Sequence, residues 1–305
     1  MIVSTLLASQ LALAAPSPEA AAATALDDLS VKQTLTLDKA GSAPRRVIGF
    51  APVPGRTATY ELVTKQALDM AIVGPDGNAM PMPGMGNLMP TMVMKMSSTV
   101  GDPVADGIVP VVVRYESASV EGGPPEVQQR MKPMLGTGFR LLVDPAKGRV
   151  VQVDVSTEDP VIEQAMQGMA DQFVSQLPAF PEEPVGIGAE WTIAGDMSVA
   201  GLSMESSQTV TLVEMTDTHV TTDVVFALRR GDGPVGFPGL PPGADVDFTR
   251  FEGKGKGRYI IDLGTLSSLG SMTMDVNLGM KMSSEGQDMG MTMDMTQEMT
   301  LREAQ

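Results

Sequence analysis

One histidine, His219, and no cysteine leave this chain of 305 residues little with which to do acid–base, nucleophilic or metal chemistry. His219 opens an alternating run, His219-Val220-Thr221-Thr222-Asp223, and reads as a solvent-facing strand residue without the partners a catalytic imidazole needs. No Gly-x-Ser-x-Gly elbow is present, because the position two before Ser268 is Leu266. No Asp/Asn run has EF-hand spacing, and Glu182-Glu183 stand between prolines, where solvated charge explains them. The Gly-Lys-Gly-Lys-Gly run at 253–257 is not followed by the strand-to-helix transition and Walker pattern of a phosphate loop. Without cysteine there is no thiol catalysis, zinc ribbon, disulfide scaffold or lipid attachment through an N-terminal cysteine. The sequence therefore predicts no enzyme, no catalytic residue, no cofactor and no metal centre.

What the chain has in excess is thioether. It carries 25 methionines against one Trp, three Tyr and eight Phe. Along 289–301, Met289, Met291, Met293, Met295, Met299 and Leu301 share one parity, and Thr292, Asp294, Thr296, Glu298 and Thr300 the other. Along 272–282, Met272, Met274, Val276, Leu278, Met280 and Met282 oppose Thr273, Asp275, Asn277 and Lys281. Met92, Met94 and Met96 begin a third run of the same kind. Three readings of such stripes compete. They can be plain core, since burying each Met contributes about 1.5–3 kcal/mol. They can line an adaptable apolar cavity or groove, because Met is pliable and polarizable. They can bind Cu(I), which thioethers select. Same-face neighbours along a strand lie about 7 Å apart, which disfavours a shared ion unless methionines of adjacent strands converge. The residues expected to line an apolar binding face are Met92, Met94, Met272, Met274, Met280, Met291, Met293 and Met295.

These residues need strands to position them. Ser284-Glu285-Gly286-Gln287 turns between the last two stripes and makes them a long hairpin. Tyr60, Leu62, Leu68, Met70 and Ile72 share a parity up to Gly74-Pro75-Asp76-Gly77. Further strands are expected at 108–119, at 139–143 and 150–155 around the turn Asp144 to Gly148, and at about 190–200, 205–215, 219–228 and 248–263. One face wet and one dry indicates an antiparallel sheet. In 253–263 the inward positions are Gly253, Gly255 and Gly257, then Tyr259, Ile261 and Leu263, so the first half of that strand is bare inside and can bend or accept close neighbours. A single helix is expected over 159–177: Asp159 caps it, Pro160 occupies its first position, and Ile162, Met166, Met169, Phe173 and Leu177 form its apolar stripe. The fold class is thus mainly β, a curved antiparallel sheet, half-barrel or barrel-like, packed on one long amphipathic helix. One helix and few aromatics leave much dry sheet uncovered, and that favours a space for a ligand.

Two long apolar loops interrupt the strands. Residues 74–90 carry Met82, Met85 and Leu88, and residues 231–245 carry Phe237 and Leu240; both could act as lids or dock on a partner. The opening residues, MIVSTLLASQLALAAP, read as a signal peptide cut near Ala14 after Ala12-Leu13-Ala14, although no Lys or Arg precedes the apolar run. The expected organisation is a signal peptide over 1–14, a flexible leader over 15–28 and one β-rich domain over 29–305, exported to the periplasm or secreted. The formal net charge of -16 argues against nucleic acid and anionic membrane surfaces as partners. No stretch is long and apolar enough for a transmembrane helix. The partners expected are a lipid or other apolar small molecule, or a protein of the cell envelope.

Several stretches resemble an uncharacterised family of exported, Met-rich bacterial proteins. They are Gly41-Ser42-Ala43-Pro44-Arg45-Arg46, Leu177-Pro178, the run from Phe180 through Pro184-Val185-Gly186-Ile187-Gly188-Ala189-Glu190 to Trp191, Pro241-Pro242-Gly243-Ala244, the glycine strand and the terminal hairpin. In architecture the chain is similar to LolA-like half-barrel lipoprotein carriers, in which a curved antiparallel sheet encloses helices and an apolar cavity. The resembled family has no known activity and so assigns no functional residue, and the likeness to the carriers is one of architecture, which does not settle function.

Overall fold

The computed structural model describes residues 33–74, 78–81, 90–122, 128–129, 131–132, 135–145, 148–155, 179–199, 202–231, 245–284 and 287–304. Its strands are β1 (Gln33–Lys39), β2 (Thr57–Val73), β3 (Ala79–Pro81), β4 (Thr91–Val100), β5 (Val109–Glu121), β6 (Gly138–Asp144), β7 (Arg149–Val155), β8 (Glu190–Val199), β9 (Leu202–Met215), β10 (His219–Arg230), β11 (Asp245–Asp262), β12 (Ser268–Ser284) and β13 (Gln287–Glu303). All join one antiparallel sheet in the order β1-β8-β9-β10-β11-β12-β13-β2-β4-β5-β6-β7, with β3 paired to β2. The sheet is open, with β1 and β7 as its edges. The mainly β antiparallel fold expected from period-two alternation is therefore present. Residues 159–177 lie outside the described residues, and among those described no long helix covers the sheet.

The topology is two meanders that meet in the middle. One runs outward from β2 to β7; the other runs inward from β8 to β13, and β13 closes on β2 from Glu303↔Tyr60 to Gly290↔Val73. β1 adds to β8 through Gln33↔Gly195 to Lys39↔Glu190 and was not expected as a strand. Between β1 and β2, residues 40–56 cross beneath one end of the sheet, here called the base. The amide of Ser42 donates to the carbonyl of Ile187, Arg46 and Val185 exchange two bonds, and the amides of Ala51 and Val53 donate to the carbonyls of Leu263 and Gly264. Gly41 and Gly186 are pressed so closely that a Cβ on either would overlap the other's strand. The stretches 41–46 and 184–191, distant in sequence, are thus one structural unit.

That crossing segment shows that the sheet bends across its width. Ile48 and Gly49 line a cleft with Val220 of β10 and Leu263 just beyond β11, yet they also lie against the β6–β7 turn: a Cβ on Gly49 would stand 3.5 Å from the Pro145 carbonyl oxygen, and one on Gly148 3.6 Å from that of Ile48. In a flat sheet β11 and β6 would stand about 29 Å apart, six strand spacings. Ile48 and Phe50 reach 4% and 6% exposure in a core shared by Val111, Val113, Leu141 and Val143 on one flank and by Trp191, Leu212 and Val220 on the other. Trp191 is fully buried, donates its indole N–H to the carbonyl of Ala179 at 3.0 Å and meets Phe180 edge to face, which in turn meets Phe50. Buried aromatic pairs of this kind add about 0.5–1.5 kcal/mol beyond their area.

The other end of the sheet is built differently. Above the base core two smaller clusters are buried: Leu68, Phe226, Leu228, Met274, Val276, Met295 and Met299, then Met204, Phe248, Leu278 and Met280. They sit where β2, β11, β12 and β13, all 17 or 18 residues long, outrun the seven-residue strands β1, β6 and β7. The connections β2–β3–β4, β10–β11 and β12–β13 all leave from strand ends at this upper end. The loop residues Met82, Met85, Leu88, Phe237 and Leu240 lie outside the described residues.

Candidate functional site

Because side chains alternate across a strand, register decides which of them meet. Registers place Met92 and Met94 of β4, Met272, Met274 and Met280 of β12, and Met291, Met293 and Met295 of β13 on the same face. Directly opposite pairs are Met272 with Met299, Met280 with Met291, and Met70 with Met293. Met274 faces Gln297, and Met295 lies between Val276 and Leu68. The eight residues are not equivalent. Met274, Met295, Met280 and Met94 are closed off at 0%, 2%, 7% and 9% exposure. Met92, Met272, Met291 and Met293, with Met70 beside them, are only half-buried. The first group holds strands together; the second offers an accessible, pliable apolar surface.

The glycine strand crowds that surface. A Cβ at Gly257 would stand 2.7 Å from the carbonyl oxygen of Ser271 and 3.1 Å from the Cβ of Met272. One at Gly255 would stand 2.9 Å from the carbonyl oxygen of Thr273, and one at Gly253 3.0 Å from the Cβ of Leu228. Missing side chains on β11 thus let Met272, Met274 and Leu228 of the neighbouring strands close over it. At the upper rim, the Arg230 guanidinium lies 5.6 Å from the Phe248 ring centroid, a cation–π contact where the apolar face meets solvent.

Comparison with known protein families and with curated proteins finds no match. The face's own chemistry therefore carries the reading.

Amid the apolar side chains the same face holds a sparse set of polar groups. Gln297 stands directly opposite Gln66, with Thr64 next along β2. Gln297 is 3% exposed and Thr64 6%, and among the described residues the Gln297 Oε1 has no hydrogen-bond partner. Neither does the buried hydroxyl of Tyr60. An unpaired buried polar atom costs about 1–3 kcal/mol, so both are exceptions that a folded chain keeps for a reason. The sequence signal for Gln297 is the one break in the methionine alternation between Met295 and Met299, and Gln66 is its counterpart on β2.

All three tyrosines face inward. Burial pushes the Tyr259 phenol up to about 12; burial also raises those of Tyr60, where the neighbouring Tyr115 adds to the effect, and of Tyr115 itself. These phenols remain neutral across physiological pH and can only act as dipoles.

The outward face is charged and paired. Arg258 donates two bonds to the Asp223 carboxylate at 2.6 and 2.7 Å, and those bonds hold Asp223 below the usual carboxylate range. Lys254 pairs with Glu252 at 2.5 Å, and Arg302 with Glu61 at 2.9 Å. His219 stays half-exposed at the β9–β10 turn, its Nδ1 2.9 Å from the Thr216 hydroxyl. Among the described residues no three His, Asp or Glu side chains are grouped to hold a metal ion. A cleft of about 390 Å³ opens at the base between Pro44, Arg45, Arg46 and Met215–Asp217. Its cations are spent: Arg46 bonds Asp217 and the Thr216 carbonyl, and Arg45 bonds the Gly41 carbonyl. Met215 is the methionine that lines that cleft, and it is not one of the eight residues of the methionine face. Among the described residues no helix is long and apolar enough to cross a membrane.

Proposed function

We propose that this chain is an exported binding protein, periplasmic or secreted, that holds an apolar ligand such as a lipid or acyl chain against the methionine face. The supporting observation is the set of half-buried methionines on one face: Met70, Met291 and Met293 adjoin toward the upper end, and Met272 and Met92 lie further down the same face in a row with Met299 and Thr64. In this reading the bent sheet is a half-barrel, the helix expected over 159–177 packs into it, and loops 74–90 and 231–245 border the opening. Thioether chains fit a ligand whose shape varies, because their three rotatable bonds re-pack at little cost. Each methylene buried contributes about 0.8 kcal/mol, so chain length sets affinity and the pliable wall tolerates its variation.

Native mass spectrometry of protein purified without detergent tests the proposal. Retained mass in the range of a lipid, lost on organic extraction, supports it; a chain that neither retains nor takes up any apolar compound overturns it. An interaction with an envelope protein through the two loops is the second reading, and the 60% exposure of Met80, in the short strand β3 within the first of them, favours it. Deleting 78–89 would then remove a defined partner's binding and leave lipid uptake unchanged.

A further inference from the structure

We propose that the methionine face recognises an apolar chain bearing a neutral hydrogen-bond donor, a hydroxyl or amide N–H, which the Gln297 side-chain carbonyl accepts. The inference rests on the binding reading above and adds the ligand's polar chemistry.

Gln297 occupies an unusual place. Its same-face neighbours along β13 are Met295 and Met299, 2% and 6% exposed, and across β12 it faces Met274, fully buried. The Oε1 has no partner among the described residues. Met at this position would continue the stripe and bury no unpaired carbonyl, so among the described residues the amide is a cost without a structural return. The return comes from a donor supplied from outside. An approach exists: Gln66, directly opposite on β2, and Met272, diagonally across on β12, are half-buried and not closed. The same geometry selects against an ester or a carboxylate. Neither offers the unpaired Gln297 carbonyl a donor, so either would leave that oxygen unsatisfied, and Thr64, Gln66 and Gln297 bring no positive charge with which to hold an anion.

Displacement of a phenylnaphthylamine probe from the full chain by dodecanol, dodecanamide and methyl dodecanoate separates the possibilities. The expected result is that dodecanol and dodecanamide compete at least about five-fold more tightly than the ester, and that Gln297→Met removes this preference while ester affinity stays within about two-fold. Equal competition by all three compounds in the native chain overturns the donor assignment and leaves the binding reading intact. Failure of the probe and all three compounds to bind overturns the binding reading itself. A second readout needs no ligand: Gln297→Met raises the urea midpoint of the free protein, because the uncompensated carbonyl is gone. A lower midpoint overturns the claim that this carbonyl is unpaired.

Discussion

Gly257→Ala puts the glycine ladder to a quantitative test. The new methyl group would stand 2.7 Å from the Ser271 carbonyl oxygen, 3.1 Å from the Met272 Cβ and 3.2 Å from the Tyr259 Cε2. The nearest atom is backbone of β12, fixed by pairing on both sides of that strand, so relief requires a strand shift and not a side-chain rotation. Overpacking of this kind costs about 1–3 kcal/mol. Replacing Gly by Ala also narrows the unfolded ensemble and returns about 0.4–1 kcal/mol. The net expectation is a loss of about 1–2 kcal/mol. Equilibrium urea denaturation followed by circular dichroism reads this as a lower midpoint with an unchanged slope. Gly49→Ala is the control, since among the described residues its methyl group would meet only the Pro145 carbonyl oxygen, at an ordinary 3.5 Å, and its midpoint is expected within about 0.5 kcal/mol of the native chain. If Gly257→Ala matches or exceeds the native stability, the close approach of β12 over the bare positions of β11 is refuted.

Three further outcomes follow from the same geometry. Met274→Ala, at a fully buried position, is expected to cost about 2–5 kcal/mol, and Met293→Ala, half-buried, less than half as much; equal losses in urea denaturation would contradict the division of the face into packed and accessible parts. The tyrosine phenols are raised in the folded state, so below their unfolded value near 10 both states are neutral and stability is flat, and above it the unfolded state ionises first. Urea midpoints should therefore hold from pH 8 to about 10 and fall as pH rises toward about 12, with no phenolate absorbance from Tyr259 before the latter; early native ionisation would contradict its burial. N-terminal sequencing of protein recovered outside the cytoplasm is expected to begin close to Ala15, and an intact Met1 there would contradict export by a cleaved signal.

Alternation made most of the fold legible. The runs ending in Met282 and Leu301 contain so many same-parity methionines that only a strand with one dry face accounts for them, and β12 and β13 lie there. Strand β1 escaped because its seven residues offer only Leu35 and Leu37 as inward apolar positions, too short a pattern to stand out beside a low-complexity leader. Of the strand order only the hairpin neighbours, β12 with β13 and β6 with β7, were legible. Pairing β13 with β2 depends on contacts more than two hundred residues apart, and no local pattern encodes it. The crossing segment over 40–56 has no periodicity to read; its role comes from carbonyls and amides meeting those of 185–187 and 263–264. Within the site, methionine parity placed all eight expected residues on one face, yet exposure, which separates Met274 from Met293, depends on what lies across the sheet. Gln297 is not legible from residue type, because a polar side chain points to the wet face while its odd number puts it on the dry one.

The most direct test of the account is a titration of the methyl-labelled methionines, followed by carbon–proton correlation spectra, with dodecanol as the apolar ligand. Binding at the proposed face shifts the methyl signals of Met70, Met272 and Met293, which lie around and along the strand from Gln297, together and saturably, while Met215 at the base is unmoved. Signals that do not shift, or a response confined to Met215, would contradict it.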